Sequence, residues 1–274
     1  MTTIIAFGSD WHANTRGAGL CPPVVHLQDG DFTPNTAQLE VWKAHCHAWQ
    51  LMASIAMSHH ARLIAVLVGD LADTNGRPGK RLITDDQDEI ITLGMQCLRP
   101  VQDAADRLYI VRGTEYHAGP HCWLEEKLAK EAAAVEDPEA GTLSWWWLPL
   151  EVEGVRFDIA HHPHTKGSRP WTKQSAAARE GEIIAADYAK RGERLPDVAV
   201  RAHVHYSADS GIRTYPHTVF CAPWELTTAY GYRLGAGGEI EPPGLWWFLV
   251  NDGKILQYDI ELYVPRRREW VSTS

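Results

Sequence analysis

Five short apolar runs in this 274-residue chain each end in carboxylates, imidazoles or glycine. "TIIAFGSD" (3–10) runs into His12, and "RLIAVLVGD" (62–70) runs into Asp73. "RLYIVRGT" (107–114) leads to Glu115 and His117, a strand ending "AHHPH" carries His161, His162 and His164, and "DVAVRAHVH" (197–205) carries His203 and His205. Apolar runs of this length with polar ends read as buried strands. Helical patterns stand between them. From Thr36 to about His60, Leu39, Trp42, Cys46, Trp49, Ala53 and Ala56 recur every three or four residues, as an amphipathic helix requires. A second helix is expected with Thr84 as its N-cap and acidic residues in its first turn. A third is expected over 123–135, and a fourth from about 174 to 191. In α/β sheets, ligands bind outside the carboxyl ends of strands. The pattern therefore predicts one rim that collects all five clusters.

The second half is richer in strands. A hairpin over 143–162 turns near Glu153-Gly154, and another over 244–264 turns at Asn251-Asp252-Gly253, a sequence suited to a tight turn. "TVFCAPWE" (218–225) reads as a further strand. Alternating strands and helices followed by strands predict one α/β domain over 1–274, with two mixed sheets packed face to face and helices outside. His45 and His47 fall off the apolar stripe of the first helix and are expected to face solvent.

Composition sets limits on function. At 45% hydrophobic and 22% charged, the chain is an ordinary globular one. A net charge of −9 argues against a broad surface for polynucleotide phosphates. It does not argue against nucleotide chemistry at a metal site, where bound cations supply positive charge. Cys21, Cys46, Cys97, Cys122 and Cys221 lack the paired spacing of a zinc knuckle or a disulfide framework, so reduced thiols in a cytoplasmic protein are expected. The start reads as no signal peptide, no window is long enough to cross a membrane, and no protein partner is indicated.

The clusters suit metal. Residues i and i+2 of a strand share a face, so His203 and His205 can serve one centre. Imidazoles mixed with carboxylates suit zinc, manganese or iron. A carboxylate can also bridge two ions that clamp the oxygens of phosphoryl transfer. Any one of these motifs alone reads as readily as a cap or turn.

Taken together, "SDWH", "GDLAD", "GTEYH", "AHHP" and "AHVH" resemble the calcineurin-like metallophosphoesterases in order and spacing, over residues 8 to 205. The altered third motif resembles that of a bacteriophage-encoded branch. The resemblance implies a four-layer α/β-β/α sandwich and two divalent ions, manganese first, with zinc, iron or nickel as alternatives. By it, Asp10, His12 and His205 hold one ion, Asp70 bridges, and His161 and His203 hold the other. Pro163 sets the register that favours His161 over His162. Asp73 orients a ligand. The implied reaction is hydrolysis of a phosphate mono- or diester by a metal-bridging hydroxide, on a small substrate or a nucleic-acid end. The alternative is a catalytically inactive scaffold with the same fold.

Two positions depart from the family pattern. Ala202 stands where a Gly commonly precedes the His-x-His pair. Thr114 stands where the family has a metal-binding Asn, and His117 comes two residues late. Glu115, with Thr114 as the alternative, is expected to fill the ligand position, and His117 to protonate the leaving group. The basic loop after the fourth cluster offers Lys166 and Arg169 for substrate phosphate. "PRRRE" (265–269) is expected to be a solvated tail.

Overall fold

The computed structural model describes residues 1–74, 81–167, 169–227 and 241–264. In chain order its elements are β1 (Thr3–Gly8), α1 (Thr36–Ser58), β2 (Arg62–Val68), α2 (Gln87–Ala104), β3 (Arg107–Val111), α3 (Glu115–Ala118) and α4 (Trp123–Glu131). Then follow β4 (Ser144–Trp145), β5 (Leu148–Val152), β6 (Val155–Ile159), α5 (Pro170–Arg191), β7 (Val198–Arg201), β8 (Ala208–Asp209), β9 (His217–Phe220), β10 (Gly244–Asn251) and β11 (Lys254–Leu262).

Two sheets form. One runs β11-β10-β1-β2-β3-β4 and the other β5-β6-β7-β9-β8. Both are mixed: β1, β2, β3 and β4 run parallel while β10 is antiparallel to β1, and β6, β7 and β9 run parallel while β5 and β8 are antiparallel to their neighbours. Successive side chains of a strand point to opposite faces, and the core divides accordingly. Ile4, Ala6, Leu63 and Ala65 pack with α1, α2 and α4, whereas Ile5, Phe7, Ile64 and Val66 pack against Phe157, Val200 and Val219 of the other sheet. Ala176 and Ala177 of α5 cover the outer face of the second sheet at Tyr206, Ala208 and Phe220. The order is therefore helices, sheet, sheet, helix. Central strands buried on both faces explain why their sequences are continuous apolar runs rather than alternating ones.

Several boundaries differ from expectation. The hairpin expected over 143–162 is divided between the sheets: β4 extends the first beside β3, and only β5 and β6 form the hairpin, in the second. The N-cap of α2 is Asp86, whose carboxylate accepts the amides of Asp88 and Glu89, not Thr84. Thr84 precedes the helix and donates its hydroxyl to Glu89. α5 starts earlier than expected, because Pro170 suits a first helical turn.

The buried face of α1 is Val41, His45, Ala48, Trp49, Met52 and Ala56, together with Gln38. This face is rotated from the expected stripe, since α1 packs against α2 as well as the sheet. His45 is thus 0% exposed, not solvated. Its ring lies edge-on to Trp11 and Trp224, its Nε2 meets the Cys97 carbonyl at 3.1 Å, and burial pushes its pKa down to about 4. All five cysteines are free thiols. Among the described residues no helix is long and apolar enough to cross a membrane. The "PRRRE" segment lies outside the described residues.

Candidate metal centre

Asp10 and Asp70 leave the carboxyl ends of the adjacent parallel strands β1 and β2. The two loops are laced together, Asp10 N–H to the Gly69 carbonyl and His12 N–H to the Asp70 carbonyl, each at 3.0 Å. β3 brings Gly113 against them. A Cβ at residue 113 would lie 2.2 Å from Asp70 Oδ1, so only glycine lets this loop pass. From the second sheet, His161 follows β6, and His203 and His205 follow β7. Asp10, His12, Asp70, His203 and His205 have φ of 51°, 42°, 54°, 69° and 54°. Positive φ is uncommon outside glycine, and such strain concentrates where side chains must be aimed.

Two donor groups result. In the first, His12 Nε2 is 3.1 Å from His205 Nε2 and 3.9 Å from Asp10 Oδ1, and His205 Nε2 is 3.3 Å from Asp10 Oδ1. In the second, the donor atoms of His161, His162 and His203 lie within 4.8 Å of one another. Asp70 stands between them: its Oδ2 is 3.1 Å from His161 Nε2 and 4.0 Å from His12 Nε2. His161 donates Nδ1–H to the Val68 carbonyl at 2.6 Å, which leaves Nε2 as the donor atom toward the centre.

The electrostatics suit cations. Burial raises the Asp10 pKa, but the charges of His205 and His161 outweigh it and hold the carboxyl at about 2. Burial alone would lower His161, yet Asp70 and Asp10 raise it. Burial and the neighbouring His161 and His162 push His203 down to about 4. Asp10 Oδ1 is buried without a hydrogen-bond partner. A carboxylate oxygen with no hydrogen bond of good geometry, facing the His205 imidazole at 3.3 Å, is the donor chemistry that divalent transition ions take.

The third motif is divided. Thr114 gives its amide to Asp70 Oδ1 at 2.6 Å and its hydroxyl to Asp70 Oδ2 at 3.1 Å. The same hydroxyl lies 3.3 Å from His162 Nε2 and 3.4 Å from His203 Nδ1. Glu115 is not brought to the centre: it opens α3, is exposed, and accepts the His121 amide at 3.0 Å. The ligand role expected for Glu115 therefore fails on geometry, since helix formation at 115 turns the side chain outward and leaves Thr114 facing inward. His117 does reach the centre. Its Nδ1 is 2.5 Å from Asp73 Oδ1 and its Nε2 is 3.9 Å from Asp70 Oδ2. Asp73 also faces His12 Nδ1 at 3.3 Å and accepts the Thr15 hydroxyl. Lys166 and Arg169 are exposed on the segment before α5, with the Arg169 guanidinium 5.5 Å over the Trp171 ring.

Three further residues border the centre. His162, the alternative to His161 in the register set by Pro163, joins the second group beside it. Glu125 of α4 is fully buried and accepts the Gly113 amide at 2.6 Å; burial and the nearby Asp70 push its pKa up to about 7. "WLEEKLAK" reads as a plain amphipathic helix and gives no hint of this. Glu225 is buried 3.6 Å from His205 Nδ1. It ends "TVFCAPWE", so the signal that marked the other strand ends was present there too.

No protein-family model matches the chain, and no curated protein matches it. Among solved structures, a single mutant of Vps29 from Entamoeba histolytica aligns over 96% of this chain and 100% of its own, at 11% identity and a TM-score of 0.42. That likeness is too loose to bear on function, which has to come from the centre itself.

Proposed function

We propose that the chain is a phosphoesterase dependent on two divalent metal ions, hydrolysing a phosphate mono- or diester. The observation that supports it is the meeting of Asp10, His12, Asp70, His161, His203 and His205, drawn from both sheets, beside a His117–Asp73 pair. Asp10, His12 and His205 would hold one ion and His161 and His203 the other, with Asp70 shared; manganese suits this mixed oxygen and nitrogen set. When bound, such ions neutralise phosphate oxygens and activate water near neutral pH.

The chain's own residues supply the rest. Asp73 holds His117 by Nδ1, leaving Nε2 to carry a proton to the departing oxygen. Thr15 fixes Asp73 in turn. Lys166 and Arg169 would contact phosphate. A cavity of about 620 Å³ is bordered by His162, His164, Trp147 and Tyr188, and the organic part of a small ester would lie there. One observation favours a second reading of His117: its donor atom groups with those of His12 and Asp70, the arrangement of a ligand. Thr114 and the outward Glu115 favour the alternative of a metal-binding protein without turnover.

The test is to strip the protein with a chelator, reload it with manganese and assay mono- and diesters. Two ions per chain with turnover of one ester class is the expected result. Two ions without any turnover would leave the binding protein, and no ions would end both readings.

A further inference from the structure

Glu225 belongs to none of the motifs, yet the fold holds it rigidly over the first donor group. The segment from Pro223 to Leu226 is strapped to the loop after β1. Pro223 bridges Ser9, the amides of Trp224 and Glu225 both reach the Asp10 carbonyl at 3.0 and 2.9 Å, and the Leu226 amide reaches the Ala18 carbonyl at 2.9 Å. Backbone bonds on both sides of residue 225 therefore fix its carboxylate relative to Asp10. The residue is only 8% exposed.

The carboxylate is aimed at imidazoles. Glu225 Oε2 is 3.6 Å from His205 Nδ1 and 3.9 Å from His12 Nε2. The latter separation equals that of Asp10 Oδ1 from the same His12 nitrogen, 3.9 Å. The His205 ring thus stands between two carboxylates, with Nε2 toward Asp10 and Nδ1 toward Glu225. A carboxylate on the far nitrogen of a metal-binding imidazole fixes its ring and raises its basicity. Burying a carboxylate is unfavourable unless positive charge compensates it.

We propose that Glu225 is a positioning residue of the metal centre: it faces His205 across an ion-pair distance and adds a third negative charge at the Asp10–His12–His205 position, making that the tighter of two ion positions. The proposal rests on the two-ion reading above. The other position, among His161, His162 and His203, has Asp70 and Asp10 within reach but, among the described residues, no counterpart of Glu225, with neutral Thr114 facing it. Hard, anionic oxygen surroundings favour manganese over a purely imidazole set, so the ions should load in order.

The experiment is calorimetric titration of the metal-free full-length chain with Mn²⁺, for the wild type and Glu225→Gln, with circular dichroism and thermal unfolding of each metal-free protein. The wild type is expected to bind in two steps. Glu225→Gln should weaken the tighter step by on the order of 10- to 100-fold and leave the weaker step unmoved. The metal-free variant should be at least as stable as the wild type, which a merely structural role for the carboxylate would not allow. If Glu225→Gln does not fold, Glu225→Asp decides: it draws the charge back by one methylene and should weaken the tighter step alone by several-fold. Unchanged affinities, or equal weakening of both steps, overturn the proposal while leaving the phosphoesterase reading intact. A wild type that binds no ion overturns both.

Discussion

His117 Nδ1 lies 2.5 Å from Asp73 Oδ1, so the ring's other nitrogen is the one presented to the centre. The short helix α3 carries the imidazole toward the Asp70 loop. For His117 acting as the acid, His117→Ala should spare esters of nitrophenolate, a leaving group that needs no proton. It should slow alkyl or sugar esters by on the order of 100-fold or more. Metal content should stay constant. Loss of an ion, or equal slowing of both ester types, makes His117 a ligand instead.

Asp70 lies between the two positions, its Oδ2 3.1 Å from His161 Nε2 and 4.0 Å from His12 Nε2, and like Asp10 it groups with donors of both. Asp70→Asn should therefore lower occupancy at both, measured as bound metal per chain after dialysis, and activity should fall with it. Unchanged metal content in this variant would end the shared-carboxylate reading. A loss confined to one ion would show that Asp70 serves a single position.

Lys166 and Arg169 stand exposed before α5, and no contact among the described residues ties them to the centre. If they receive substrate phosphate, alanine at either position should raise KM several-fold with a smaller effect on kcat, as loss of uniform binding does. KM values equal to wild type for both variants would return the loop to solvent.

Burial holds the His45 pKa at about 4, below the ordinary 6.5. Between those values the unfolded chain takes up a proton that the folded chain refuses. Stability is therefore full above pH 6.5 and falls as pH drops toward 4, at up to about 1.4 kcal/mol per pH unit. By pH 5 the loss from this group is about 2 kcal/mol. His45→Gln keeps a donor for the Cys97 carbonyl and removes the titration. Thermal unfolding at pH 7 and pH 5 should show a smaller drop for the variant, and equal drops would mean that His45 protonates freely in the folded state.

How much of this was legible in sequence follows from where each signal is stored. The strands were readable because burial on both faces leaves little but Val, Ile, Leu and Ala, as in β2. The gathering of Asp10, His12, Asp70, His203 and His205 at one rim was readable because they directly end such runs. His45 was misplaced because helix faces are set by neighbours, and α2 claimed a face that the periodicity alone assigned to water. Glu115 was misplaced for a related reason: ligand strength favoured it, but the backbone at 115 had already turned into α3. Glu125 acts through a backbone amide of Gly113, and no residue-type pattern encodes such a partner.

The division of donors between the sheets also bears on the order of folding. Asp10, His12 and Asp70 ride on one sheet, and His161, His203 and His205 on the other, with the rings of Phe7, Phe157 and Phe248 packed tilted or edge-on between them at centroid distances of 5.7 to 5.9 Å. His12 and His205 are 193 residues apart in the chain. Closing so long a loop has to precede any reward from their meeting. An ion could therefore be gripped only late, once the sheets have docked, and it would then act as a rivet across them. Its affinity becomes a gauge of that docking, so that trimming Phe157, which packs between the sheets, would be felt as a looser hold on metal.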